Sequence, residues 1–242
     1  SDLKFNYFLL RKNFFTLSLK KNNIDIKKDY FVNGYRDDRL KTINNIKKLL
    51  SENKEITVLL ISSHTFASYA MEACRELKKE FGPTHHIHLY TSIPFKPEVA
   101  QQLADAGLDE IRFHLLNLEY ERYVPTMQAC RDAGLYVGIE LPCEPDQEER
   151  LHELVEEMRN GPALFLNLNE LEITVGNYDN MEVRGFNLSS EITAGAEGSG
   201  DLARALHAKV TPEYGFMVKY CTASYKDSGQ LRRRFLRRGE HT

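Results

Sequence analysis

The residues that could do chemistry are polar side chains set at alternate positions within apolar stretches. In chain order they are Arg112 and His114, then Glu140, then Asn167 and Asn169. A period of two is typical of a β-strand, whose successive side chains point to opposite faces. A carboxylate, two amides and an imidazole on one face would bind a polar ligand, and the asparagines suit hydrogen bonds to an adenine or a ribose.

Hydroxyl groups follow two other apolar stretches. Ser62 and Ser63 come after the first, and Thr91 and Ser92 come after the second. The ends of barrel strands are where active sites form, so these hydroxyls are binding candidates, and those of the first pair could bind a carboxylate. The alternative for Ser62 and Ser63 is that they cap a helix.

Two partners are open to Glu140. We expect His114 to pair with it across the site, and Arg112 could equally neutralise it in a structural ion pair. Either pairing requires that the strands carrying these residues lie side by side in one sheet.

Strand and helix patterns alternate from residue 56 to the end of the chain. Glycines close four of the helices, at Gly82, Gly107, Gly134 and Gly161. Parallel strands joined by helical crossovers, an α/β fold, account for this rhythm. The predicted strands cover residues 56–61, 86–90, 109–115, 136–141, 164–173 and 216–221, in that spatial order. The predicted helices cover residues 71–81, 97–106, 123–132, 147–159, 202–208 and 225–238.

The alternation within the strands favours a barrel over an open sheet. An open parallel sheet is covered on both faces and needs apolar residues on both. Here one face of each strand is polar, as expected for a barrel lumen that holds a polar ligand. We therefore predict a parallel (β/α) barrel, or a partial TIM-like barrel, with a short N-terminal appendage. The alternative is that these polar residues lie at exposed strand ends.

Four segments carry a family resemblance. They are HIHLYTS with LADAGLDEIRFHL, then GIELP, then LNLNELEIT, then KYCTASYKDSGQLRRRFLRR. Together they resemble archaeal-type radical S-adenosylmethionine proteins related to pyruvate formate-lyase activating enzyme, over about residues 56–238. The resemblance implies a partial barrel that holds S-adenosylmethionine and a [4Fe–4S] cluster in its lumen. Reduction of the bound sulfonium would give a 5′-deoxyadenosyl radical, used for glycyl-radical activation or for modifying a macromolecule.

The cysteines depart from that family. Its cluster needs three cysteines in a tight loop, usually C-x3-C-x2-C. Residues 1–55 contain none, and Cys74, Cys130, Cys143 and Cys221 are far apart in sequence. Cys221, at the lumenal end of its strand, is a weak candidate ligand, and we favour a buried thiol. We therefore expect no stable cluster, and the alternative function is a non-catalytic barrel that binds a small polar ligand.

The segment before residue 56 differs in composition from the rest. Residues 1–55 carry 13 basic and 7 acidic residues, whereas the remainder carries 19 and 28. We expect the amphipathic helix at residues 39–50 to pack on the barrel rather than to bind nucleic acid. Scattered cysteines indicate a cytoplasmic protein, and there is no apolar run long enough to span a membrane. The substrate, a small molecule or a macromolecule, is not indicated.

Three further features suggest sites. His85, His86 and His88 resemble a metal cluster, but strand spacing places His86 and His88 at the entry end, so we predict no metal site. Residues 177–200 follow a strand's lumenal end and are placed to form a lid, with a disordered insertion as the alternative. The last helix carries an arginine cluster that could touch a phosphate, although a solvated face is the commoner meaning. These arginines are Arg232, Arg233, Arg234, Arg237 and Arg238.

Overall fold

The computed structural model describes residues 44–45, 47–49, 66–190, 192–233 and 236. The chain separates into two units, Ser1–Ile56 and Thr57–Thr242. The described residues of the first unit are helical, and Leu49 is buried. The predicted strand at residues 56–61, with Ser62 and Ser63 after it, lies outside the described residues. The distinct role of residues 1–55 stays a prediction.

Five parallel strands form the sheet of the second unit, in the order in which they occur along the chain. Because each strand pairs with the next one in sequence, the right-handed crossovers all place their helices on the same face. This is the arrangement of a partial TIM-like barrel and confirms the predicted α/β fold, with no antiparallel pair among these five strands. The strands are β1 (His88–Thr91), β2 (Glu110–Phe113), β3 (Tyr136–Cys143), β4 (Phe165–Glu170) and β5 (Met217–Cys221).

Helices connect the strands. In the part of the chain that is described, none is long and apolar enough to cross a membrane. The second begins at a proline, which suits a first turn, and is closed by Gly107 at φ 94°, as predicted. The helices are α1 (Phe66–Phe81), α2 (Pro97–Asp105), α3 (Tyr120–Asp132), α4 (Glu148–Glu157), α5 (Tyr178–Val183), α6 (Ser199–Lys209) and α7 (Ala223–Tyr225), which continues as a π-helix over Lys226–Leu231.

The core lies between one face of the sheet and the helices. Alternate residues of β3 and β4, among them Ile139 and Leu166, are fully buried on this face. The alternation predicted from the sequence is therefore real, and its apolar half faces the helices. Helix side chains that complete the core are Leu103, Tyr123, Met127, Leu154 and Leu206.

Several predicted boundaries were wrong. The first helix begins at Phe66 rather than at residue 71, and β4 ends at Glu170 rather than at residue 173. Gly161 does not close its helix in the left-handed region, because Asn160 takes that conformation at φ 56°. Gly161 is needed for a different reason, since the hydroxyl of Tyr120 lies where a Cβ would be. The last helix is only partly covered by the described residues.

The segment after β4 has its own structure. Antiparallel bridges join Glu172 to Gly195 and Leu188 to Ala196, and α5 lies between them in sequence. A separate apolar cluster forms beneath it, made by Leu171, Ile173, Met181 and Ala196. For its described residues, the disordered insertion was therefore the wrong alternative. Its role as a lid stays a prediction.

Candidate functional site

The strand register gathers polar side chains on the sheet face opposite the helices. Glu140 of β3 pairs with Asn167 of β4, and Asn169 pairs with Pro142. Arg112 of β2 pairs with Gly138, two residues before Glu140. Because side chains at paired positions of parallel strands share a face, these groups lie together. We call them, with Glu110 and Tyr90, the polar face.

Glu140 is the acceptor at the centre of the polar face. Its Oε2 accepts hydrogen bonds from Nη1 of Arg112 at 2.8 Å and from Nδ2 of Asn167 at 2.9 Å. Its Oε1 accepts from Nδ2 of Asn169 at 3.0 Å. Burial acts to raise the pKa of Glu140, but the hydrogen bonds from both amides and from Arg112 outweigh it and lower that pKa. The carboxylate is therefore ionised at neutral pH.

Arg112 joins two carboxylates. Its Nε donates to Glu110 in a short contact, and its Nη1 donates to the Tyr90 hydroxyl at 2.8 Å as well as to Glu140. Its guanidinium lies over the rings of Tyr90 and Phe165, at 5.3 and 5.6 Å from their centroids. Burial acts to lower its pKa, but hydrogen bonds to the two carboxylates raise it overall. The pairing of Glu140 with Arg112 is thus the one that the fold adopts.

One polar atom in this network has no partner within the described structure. Asn167 is 6% exposed, and its Oδ1 is a buried acceptor without a hydrogen bond. The orientation of the amide is set by its Nδ2, which donates to an acceptor-only carboxylate. A buried acceptor left without a donor costs about 1–3 kcal/mol. A hydrogen-bond donor placed beside this atom would remove that cost.

A second group of polar side chains lies where β1 and β2 begin. His88 pairs in register with Glu110, and His86 precedes His88 by two residues. The donor atoms of all three lie within 4.8 Å of one another. Burial, followed by the charge of Arg112, lowers the pKa of His88, so its imidazole is neutral at neutral pH.

The other predicted site residues are not part of the polar face. Thr91 pairs with the fully buried Phe113, so it lies on the helix side, where its hydroxyl accepts from the amide of Ile93 at 3.2 Å. The carbonyl of Ser92 accepts from the hydroxyl of Tyr123 at 2.9 Å. His114 is exposed, and the described hydrogen bonds of Glu140 do not include it. The structure therefore brings together Glu140, Asn167 and Asn169 of the predicted set.

Sequence reasoning missed two members of the polar face. Glu110 lies two residues before Arg112, and Tyr90 lies two residues after His88, in the alternating series that begins at His86. Extending each alternating pattern by one further step would have found both, because strand periodicity fixes the face. What it could not find is that Glu110 is shared between Arg112 and the histidines.

All four cysteines lie within the described residues, and they do not form a cluster site. No set of three metal-binding groups there includes a cysteine. Burial raises the pKa of Cys74 to about 11 and those of Cys130 and Cys143 to about 12, which keeps these thiols protonated. Cys221 is also buried, on the polar face beside Asn169. The cysteines of this chain do not fit a [4Fe–4S] cluster, whose ligands are thiolates.

The described strands form a partial (β/α) barrel, with a polar network on the face of the sheet opposite the helices. No model of a known protein family matches the chain. It is 34% identical, over 69% of its length, to a protein of Methanocaldococcus jannaschii provisionally named a glycyl-radical enzyme activating enzyme. The chain spans about half the length of this relative, 46%. This similarity to a protein named as a glycyl-radical enzyme activating enzyme confirms the resemblance found in the sequence.

Proposed function

We propose that this chain provides the S-adenosylmethionine-binding barrel of an enzyme of the glycyl-radical activating type. The observation that carries the proposal is Oδ1 of Asn167, which is buried in the polar network without a hydrogen-bond partner among the described residues. The relationship to a protein named as an activating enzyme supports the choice of ligand. The substrate, whether a small molecule or a macromolecule, remains outside the proposal.

Each polar group of the face would have a separate role in binding the ligand. Oδ1 of Asn167 accepts a hydrogen bond from the ligand, such as one from the adenine amino group or a ribose hydroxyl. Ionised Glu140 holds the two asparagine amides in place and gives the face a negative charge close to the cationic ligand. Arg112 fixes the Glu140 carboxylate from the other side. The residues of the face are therefore oriented before the ligand arrives.

S-adenosylmethionine held on the polar face by Asn167 and its neighbours would be the source of the radical chemistry that such enzymes carry out. We assign no reductive step to the described residues, because their cysteines do not fit the cluster that would deliver the electron. The role of this chain's own residues in the proposal is to bind and orient the ligand.

Calorimetric titration with S-adenosylmethionine and S-adenosylhomocysteine tests the proposal. We expect weak, measurable binding of both, reduced about tenfold in Asn169→Ala and Asn167→Ala and lost in Glu140→Ala. His86→Ala is the matched control, since this half-exposed residue lies outside the hydrogen bonds of Glu140 and should bind both ligands normally. Thermal unfolding of each variant establishes that it is folded. Failure of the folded wild-type chain to bind either ligand would leave the network with a structural role alone.

The cysteine arrangement favours a second candidate, a barrel that binds a small polar ligand without a cluster and without catalysis. Three of the four thiols have raised pKa values and belong to separate elements. After anaerobic reconstitution with iron and sulfide, this candidate predicts no stable cluster on the chain. Binding of near-stoichiometric iron and sulfide, lost in Cys221→Ala, would contradict this second candidate. It would favour the radical enzyme instead.

A further inference from the structure

Contrary to the expectation from the sequence, we propose that His86 and His88, together with Glu110, form a binding site for a divalent transition-metal ion, with Zn²⁺ as its representative. In the described part of the chain, they are the one group of three or more candidate ligand side chains that is close enough to share an ion. The site lies where β1 and β2 begin and shares Glu110 with the polar face, but metal binding there does not rest on the proposed function.

The distances suit a shared ion. Nε2 of His86 lies 3.3 Å from Oε2 of Glu110, and the donor atoms of all three residues lie within 4.8 Å of one another. Two tetrahedral ligands of zinc, each bonded at about 2.0–2.1 Å, are separated by about 3.3 Å. The observed separation therefore leaves room for an ion without moving the strands apart.

The chemistry of the donors indicates the class of ion. Two imidazoles and one carboxylate form a ligand set that zinc and other borderline divalent metals use, with the remaining positions left for water. Ca²⁺ and Mg²⁺ prefer oxygen ligands and are disfavoured by the two nitrogens. His86 and His88 are both exposed, whereas Glu110 is buried, so the open positions would face solvent.

A hydrogen bond from Arg112 orients the carboxylate of Glu110. Nε of Arg112 donates to Oε1 of Glu110, which leaves Oε2 turned toward the histidines. Such a partner orients a metal-binding carboxylate in many sites. The positive charge of Arg112 opposes a cation here, but the carboxylates of Glu110 and Glu140 offset it, and the three groups together carry a net negative charge.

A metal at this position would join β1 to β2. β1 is a short strand of four residues, and among the described strands it pairs with β2 alone. An ion bound by His86, His88 and Glu110 would cross-link the entry ends of both strands. Metal binding should therefore stabilise the folded chain against heat, in addition to being measurable directly.

Zinc binding by the chelator-treated full chain tests the site. We expect one Zn²⁺ per chain by competition with a chromophoric indicator, together with a rise in the melting temperature. His88→Ala and His86→Ala should each weaken binding at least about tenfold and abolish that rise. His85→Ala is the matched control, because this neighbouring histidine is exposed but does not belong to the group, and it should leave zinc binding unchanged.

Cobalt provides a second readout. Co²⁺ bound by two imidazoles and a carboxylate gives visible bands of its own without the charge-transfer absorption of a thiolate ligand, which separates this site from the cysteines. Wild-type zinc affinity in His88→Ala, equal losses in His85→Ala, or a thiolate band with Co²⁺ would each overturn the proposal. Loss of binding in Glu110→Gln, with its metal-free melting temperature retained, would support it.

Discussion

The two faces of strands β3 and β4 differ in how completely their groups are satisfied. On the helix side, Ile139 and Leu166 are fully buried among apolar neighbours. On the other side, Glu140 and Asn169 find hydrogen-bond partners, but Oδ1 of Asn167 does not. The apolar strand residues of the helix side need no hydrogen-bond partner, whereas the polar face has one buried acceptor, Oδ1 of Asn167, that lacks a partner among the described residues.

This difference separates what folds the chain from what could make it bind. Apolar residues in place of a buried ionic network are often neutral for stability or even stabilising. A barrel that needed only stability could have filled the positions of Glu140 and Arg112 with apolar side chains. The presence of an ionised carboxylate with three donors at this position therefore fits the proposal that the polar face binds a ligand.

The largest expected effect comes from removing the acceptor at the centre of the polar face. Glu140→Ala leaves Arg112 and two amides without their partner, and we expect a loss of about 3 kcal/mol in the free energy of unfolding. This is the low end for a buried pair, because the side chains of Arg112 and Glu140 keep 20% and 18% of their exposure. Urea denaturation measures the loss.

The matched control is Glu153→Ala. Its carboxylate lies 3.4 Å from Arg150 but is 59% exposed, so its removal should cost less than about 1 kcal/mol. Equal midpoints for Glu140→Ala and Glu153→Ala would show that the polar face contributes no more than a surface ion pair.

A smaller effect should follow from acid. Because the pKa of Glu140 is lowered from its ordinary 4.5 in the folded chain, its contribution is present in full above that pH. The contribution is lost as the pH falls through the folded-state value, since the unfolded chain then binds the proton more readily. Below pH 4.5, Glu140→Gln should therefore lose less stability with falling pH than the wild type. Parallel curves for both proteins would assign the acid sensitivity to other carboxylates.

A substitution on the helix side should reduce stability without affecting ligand binding. Ile139→Val removes one buried methylene and should cost about 0.5–1.5 kcal/mol at any pH. Because Ile139 points away from the polar face, binding of S-adenosylmethionine should be unchanged, whereas Asn169→Ala should weaken it. Chemical denaturation and calorimetry on the same two variants separate the faces. A binding loss in Ile139→Val would show that packing beneath the sheet controls the polar face.

The sequence predicted the fold better than it predicted the site, for a physical reason. Period-two alternation places Glu140, Asn167 and Asn169 on one face, and the register confirms this placement. Thr91 was expected near them, but the same alternation places it with Phe113 on the helix side. The alternation of side chains alone would have placed Thr91 on the correct face. The expectation went wrong because it relied on the position of Thr91 at the end of a strand.

Pairings across strands could not be read in the same way. Whether Glu140 bonds to Arg112 or to His114 depends on side-chain reach and register, which one sequence does not specify. The proximity of Glu110 to His86 and His88 likewise depends on the register between β1 and β2. The helix end at Gly161 could not be predicted either, since the left-handed turn falls on Asn160 and the Tyr120 hydroxyl occupies the position of a Cβ at Gly161.

The smallest effect is expected at the entry end of the polar face. The side chain of His86 is 55% exposed and contacts Glu110 at 3.3 Å, so His86→Ala should change metal-free stability by no more than about 0.5 kcal/mol. S-adenosylmethionine binding should also be unchanged, because Arg112 already holds Glu110 and Glu140 in place. Urea denaturation and calorimetry on the chelator-treated variant measure both quantities. If His86→Ala weakened ligand binding, the change would have to pass from Glu110 through Arg112 to Glu140. Such a result would show that Glu110 and Glu140 are coupled through Arg112, contrary to the expected independence of His86 from ligand binding.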